Sequence, residues 1–329
     1  MKRYLYSSLI LLALVLSASC RTKLTSPKPD ASTVVARHGQ LRVLGTALVD
    51  ARSDTVALHG VSLGWHNWWP RFYNAQTIDW LTKDWNIRVV RAAIGVEPDK
   101  GYLQNPEAAL KNLYAVVDAA IAAGIYVIVD WHAHQLHPQQ AKEFFRLVAQ
   151  KYGTYPNVIY EIFNEPMDTS WTEIQAYAQE VIPAIRAIDP DNIILVGCPN
   201  WDQDIHLVAD KPLVGFSNLM YTVHFYAGTH KQFLRERAEY ALGKDIPIFV
   251  SECAGMNADG DGPVDGAEWQ TWKEWMAVHK LSWVAWSIAD KNESCSMIKD
   301  QQVPASGWSD SQLKSWGKMV RQDLKTINK

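Results

Sequence analysis

Eight short apolar runs ending in polar or aromatic residues, longer amphipathic stretches between them, and no internal linker or low-complexity break together predict a single (β/α)8 TIM barrel. The runs begin at Val56 (VALHGVSL), Val89 (VVRAAI), Tyr126 (YVIVDWH), Val158 (VIYEIFNEP), Ile193 (IILVGCP), Leu219 (LMYTVHFY), Ile246 (IPIFVSE) and Ser282 (SWVAWSIAD). β-Branched and aromatic residues dominate them, as in parallel strands covered on both faces. Segments 106–123 and 171–188 carry apolar residues at helical spacing. A doubly wound open sheet is the alternative reading of the same alternation.

In chain order, residues 1–20 read as a targeting segment. Lys2 and Arg3 are basic, residues 9–16 are apolar but too short to span a membrane, and Ser17, Ala18 and Ser19 are small. That order resembles a bacterial lipoprotein signal in which Cys20 is lipidated, with ordinary secretion as the alternative. Residues 21–35, rich in Ser, Thr, Lys and Pro, read as a flexible tether, so the barrel is expected over 36–329. GQLRVLGTALV (39–49) reads as a β-hairpin closing the barrel floor.

Composition narrows the function classes. A net charge of −3 gives no electrostatic case for nucleic acid or an anionic membrane, so membrane association is expected only through the lipid on Cys20. Fifteen Trp are unusual; many are expected to be structural, since they bury large apolar areas, but a surplus on loops also suits stacking on sugar rings. Cys20, Cys198, Cys253 and Cys295 are too few and scattered for a disulfide framework. Cys253 and Cys295 both fall near the mouth, with free thiols the default over a pair.

In a barrel every strand tip faces one mouth, where the chemistry gathers. The tip residues are Arg91, His132, Asn164 with Glu165, His224 with Tyr226, Glu252, and Trp286. Glu165 taken alone could be a solvated helix cap. Two carboxylates on different strands, among such partners, are the equipment of glycoside hydrolysis: one protonates the leaving oxygen, the other attacks or activates water. HAHQLH (132–137) could be read as a metal cluster, but no matching Asp or His set occurs at the other tips. No metal and no cofactor is expected.

NEP (164–166) on the fourth barrel strand, HFYAGTH (224–230), the Glu ending the seventh, and the segments DPDNIILVG and SDSQLKSW closely resemble glycoside hydrolase family 5 cellulases of the bacterial endoglucanase subfamily. The resemblance runs from about residue 35 to 320. It implies a retaining endo-β-1,4-glucanase acting on cellulose or mixed-linkage β-glucan, with Glu165 as acid/base and Glu252 as nucleophile. It implies that Arg91 and Tyr226 donate to Glu252 and favour its ionised form. Asn164 would bond the sugar 2-hydroxyl, His132 and His224 would line the central subsite, and His224 would orient Glu165. Trp286 would be the platform under the sugar before the scissile bond, with Lys291 and Glu293 reaching further hydroxyls and Trp68 and Trp201 along the cleft.

The family's His after the first barrel strand aligns with Gly64 and its Tyr after the second with Gly95, leaving His66 and Trp69 as nearby substitutes. Cys253 replaces a common aromatic residue. The same resemblance leaves β-mannanase or xyloglucanase activity as the enzymatic alternative, and a non-catalytic glycan-binding lipoprotein as the non-enzymatic one. A monomer exported to the cell envelope, in the periplasm or at the cell surface, or secreted, is expected.

Overall fold

The computed structural model describes residues 33–299 and 303–329. The signal segment 1–20 with Cys20, and residues 21–32 of the tether, lie outside the described residues. The end of that tether is corrected. Thr33 caps a short helix, Val34–His38, whose Val34 and Val35 are buried, and the Val35 N–H donates to Gly124 O at 2.9 Å. Two adjacent valines give a turn an apolar face to bury, which the Ser, Thr and Pro before them cannot offer.

The hairpin pairs β1 (Arg42–Leu44) with β2 (Ala47–Val49), antiparallel, around Gly45 at φ +60°. A two-residue connection needs that left-handed backbone, which glycine supplies without strain. The hairpin sits at the floor because its ends reach loops that enter barrel strands. Gln40 Nε2 donates to Asn192 at 2.8 Å, and the Val43 N–H to Asn218 Oδ1 at 3.0 Å.

The barrel strands are β3 (His59–Leu63), β4 (Val89–Gly95), β5 (Tyr126–His132), β6 (Val158–Glu161), β7 (Ile194–Val196), β8 (Leu219–Tyr226), β9 (Ile248–Ala254) and β10 (Trp283–Ile288). They close in chain order, with β10 pairing both β9 and β3, and every pairing is parallel. Every strand residue from β3 to β10 is buried, so the apolar runs had no reason to alternate. β6 is shorter than its apolar run: the ladder stops at Glu161, although the Ile162 N–H still donates to Leu195 O at 3.0 Å. Asn164 and Glu165 therefore sit on the loop beyond it.

Trp85, Trp131, Trp269, Trp272, Trp283, Trp308 and Trp316 are fully buried among strands and helices. With Trp171 buried and Trp80 and Trp275 packed against the core, that accounts for much of the tryptophan surplus as structure, and Trp65, Trp68, Trp69, Trp201 and Trp286 line the mouth. The last helix, Ser315–Ile327, ties both ends of the barrel together. Trp316 Nε1 donates to Trp286 O at 2.6 Å near the mouth, while Asn328 Nδ2 reaches Asn86 O and His59 O at the floor.

Candidate active site

Arg91 stands on β4 with no exposed surface. A buried guanidinium is tolerable only if carboxylates and hydrogen bonds replace its water. Here Nε and Nη2 fork onto Glu161 at 2.7 and 3.2 Å, Nη1 donates to Glu252 Oε2 at 2.9 Å, and Nη2 donates to Asn164 Oδ1 at 2.6 Å. Asp130 Oδ2 lies 3.0 Å from Nη2. Burial pushes the Arg91 pKa down, but Asp130, Glu161 and Glu252 overcome it, so the cation is permanent.

Glu252, on β9, also accepts the Tyr226 hydroxyl at 2.7 Å. Its pKa is nevertheless raised: burial comes first and the charge of Glu165 second, and these outweigh the pull of Arg91, His224 and Tyr226. Arg91 and Tyr226 do donate to Glu252 and favour its ionised form as expected, but burial and the neighbouring Glu165 outweigh them. Protonating Glu165 removes the second cause, so a proton on one carboxyl favours charge on the other.

Glu165 is anchored by its own N–H donating to Ala133 O at 3.2 Å. Its Oε1 meets His224 Nδ1 at 3.0 Å and its Oε2 lies 3.5 Å from His134 Nε2. Burial raises this carboxyl, yet the two imidazoles bring it down to about 2. One donor atom each of Glu165, His224 and Glu252 lie within 4.8 Å of one another.

Behind this face, His224 Nε2 meets Ser251 Oγ at 2.9 Å and Asp202 Oδ2 at 3.3 Å. Ser251 in turn donates to Glu161 at 2.6 Å. Despite burial, Asp202, Glu161 and Glu165 raise the His224 pKa well above its ordinary value, so it faces Glu165 as a cation. His132 goes the other way. Burial, then the charge of Arg91, push it well down, and its Nδ1 is paired with Asp130 at 2.6 Å. Asn164 is fully buried, and its Nδ2 has no partner among the described residues.

A family model described as cellulase (glycosyl hydrolase family 5) matches residues 49–292. The chain belongs to glycosyl hydrolase family 5. It is 41% identical over 304 residues to an endoglucanase of Clostridium saccharobutylicum, covering 90% of this chain and 67% of that one. It is 42% identical over 301 residues to endoglucanase 5 of Pectobacterium carotovorum, covering 89% and 59%. The chain thus spans only 59 to 67% of the length of these two relatives. Among solved structures, a Cytophaga hutchinsonii protein superposes with a TM-score of 0.88 at 46% identity, covering 90% of this chain and 97% of that one. The catalytic domain of Thermobifida fusca endoglucanase Cel5A follows at 0.84 and 33%, covering 89% and 99%.

On this family 5 barrel the cleft has two halves. One, of about 580 Å³, is lined by Glu165, Asn200, Trp201, Gln203, His224 and Tyr226 among others. The other, of about 290 Å³, is lined by Glu252, Trp286, Trp65, His134, Lys291 and Glu293 among others. Trp68 and Trp201 are exposed, and Lys291 and Glu293 pair with each other at the rim. Trp286 is 8% exposed, with its ring parallel to His132 at 5.3 Å. It is therefore part of the core as well as a wall of the cleft, and truncating it would open both.

Of the substitutes expected for the missing His and Tyr, Trp69 does close on Gly64, where a Cβ would lie 3.0 Å from its ring, whereas His66 needs correction. His66 is buried, with Nδ1 accepting the Gly95 N–H at 3.0 Å, and burial lowers its pKa to about 4, which makes it a structural group. Trp65 takes the space instead: a Cβ on Gly95 would lie 2.7 Å from its ring. That ring meets His132 edge-on at 4.2 Å. The HAHQLH histidines do not converge. His132 faces Asp130, His134 faces Glu165, and His137 faces Glu97 at 3.2 Å. Cys198, Cys253 and Cys295 are free and buried.

Reading strand tips missed Asp130, Glu161, Ser251, Asp202, His134 and Trp65. A signal existed for the first two, since a carboxylate inside an apolar strand must find a buried cation.

Proposed function

We propose that the protein is a retaining endo-β-1,4-glucanase that cleaves internal bonds of cellulose or mixed-linkage β-glucan by double displacement. The observation that carries this is the approach of Glu165 and Glu252, an oxygen of each within 4.8 Å. Retaining pairs stand about 5 to 5.5 Å apart, whereas inverting pairs leave about 6.5 to 9.5 Å for a water. The relatives named endoglucanase support the substrate class, as does a solved complex of the Thermobifida fusca domain with cellotetraose.

In this reading Glu252, oriented by Arg91 and Tyr226, attacks the anomeric carbon while Glu165 protonates the leaving oxygen. The leaving group departs into the Trp201 half. Glu165 then takes a proton from water, which releases the sugar from Glu252. Asn164 Nδ2, held by Arg91 through Oδ1, meets the 2-hydroxyl, and neutral His132 lines the same sugar. The leader 1–20 and Cys20 make an exported, lipid-anchored form part of the same proposal.

The test is hydrolysis of carboxymethylcellulose, barley β-glucan, glucomannan and xyloglucan side by side, with the anomer of the first product followed by NMR. Carboxymethylcellulose and β-glucan should be cut fastest, with the β-anomer appearing first. Preference for glucomannan or xyloglucan would replace the substrate, and α-anomer first would replace the mechanism.

A further inference from the structure

A general acid needs a proton, yet Glu165 is a carboxylate bracketed by two imidazoles. The two brackets differ. His224, on Oε1, is 2% exposed and tied to Ser251, Asp202 and Glu161. His134, on Oε2, is 26% exposed and opens onto the cleft.

Charged and titratable groups face His134 from several elements. Glu97, after β4, accepts its backbone N–H at 3.1 Å and also faces His137. Glu165 comes from the loop after β6, and Glu252 acts on it from β9. On its own segment the His132 ring is 6.1 Å away, and Trp65 stacks on it at 5.5 Å. Burial alone would lower the imidazole pKa, but Glu165 first, then Glu97 and Glu252, raise it.

We propose that His134 is a positioning residue for the acid step, sharing one proton with Oε2 of Glu165 so that the two titrate as a unit. This rests on Glu165 being the acid/base. The resting pair is imidazolium and carboxylate. As the leaving oxygen arrives, the Nε2–H bond breaks and an Oε2–H bond forms, leaving neutral imidazole and carboxylic acid. Oε2 then gives that proton to the leaving oxygen. In the second step the proton from water passes to Oε2 and back to Nε2, so the cycle closes with no atom or charge left over. Because both forms of the pair hold the same number of protons, acid chemistry is lost at the titration of the pair, above that of a lone carboxyl.

His134→Gln keeps an N–H donor for Oε2 and removes the titrating base. Its kcat/KM should be followed against pH with phenyl cellobioside, which needs protonation, and 2,4-dinitrophenyl cellobioside, which does not. With phenyl cellobioside the alkaline limb should move to lower pH by about one unit or more, as expected when a carboxyl titrates alone. With the dinitrophenyl substrate the limb should stay where the wild type has it. His134→Asn, with a wild-type melting curve, guards against a folding defect and should shift the same limb. Superimposable phenyl profiles, or equal losses on both substrates at every pH, would overturn the proposal. Glu165→Ala in the same assay separates the two readings: if it spared phenyl as well as dinitrophenyl cellobioside, the acid/base assignment itself would fall.

Discussion

Arg91 shows how one residue can hold a site together. Its guanidinium grips Glu161, Glu252 and Asn164, so the carboxylate proposed to attack and the amide proposed to meet the sugar share one mount. Lysine keeps the charge but not the planar fork. Arg91→Lys should lower kcat/KM about 10²-fold, as expected when a small misplacement spoils an attack geometry. It should also cost on the order of 3 kcal/mol in a denaturant melt, because buried carboxylates lose their partner. Wild-type turnover in a stable Arg91→Lys enzyme would contradict this role. Arg91, Glu165 and Glu252 were legible in the sequence because a charged residue in or just beyond an apolar run stands out, although Arg91 proves to sit in the middle of β4 and not at its tip. Asp130 and Glu161 were not, although they stand nearer the mouth than Arg91, because only the last polar residue of each apolar run was read as its tip, His132 for β5 and Asn164 with Glu165 for β6. His134 was hidden by His132, which occupies the tip itself.

At the scale of elements, the segment after β7 carries a run of left-handed backbone into the cleft. Asn200, Trp201 and Asp202 have φ of +59°, +53° and +59° in succession. Asn and Asp tolerate that region, but Trp does not, and each non-glycine residue there costs about 1 kcal/mol or more. Asp202 holds the run. Its Oδ1 accepts the Cys198 N–H at 2.6 Å, and its Oδ2 accepts the Thr222 hydroxyl at 2.6 Å while facing His224. Releasing it should free the exposed Trp201 and loosen His224 together. Asp202→Ala is therefore expected to lower kcat/KM more for oligosaccharides long enough to fill the Trp201 half than for a short aryl cellobioside. Equal effects on both would contradict the coupling. Such a turn was not legible, because Trp in a left-handed conformation has no sequence signal. The strands and the helix Pro106–Ala123 were, because apolar runs and 3.6-residue spacing are set by burial on both sides.

For the whole molecule, closure of the barrel is what turns a list of distant residues into a site. Arg91, His132, Glu165, His224, Glu252 and Trp286 come from six of the eight barrel segments, and only a closed parallel sheet points them at one mouth. That much could be read from the order of elements. The walls could not, because they depend on loop shape: Trp65 rather than His66 fills the space over Gly95, and Trp286 is mostly buried.

The central claim is that Glu165 is the acid/base and Glu252 the nucleophile, on opposite faces of the scissile bond. The chemistry left by each deletion tests it most directly. With Glu165→Ala and an aryl cellobioside whose leaving group needs no proton, Glu252 should still be glycosylated, and azide should release the sugar as the β-glycosyl azide. With Glu252→Ala, azide can only enter the hole on the attacking face, giving the α-glycosyl azide. Anomeric assignment of the two azide products from their H1–H2 couplings by NMR decides the matter: β from Glu165→Ala and α from Glu252→Ala is the predicted result, and the anomers exchanged between the two variants would contradict it.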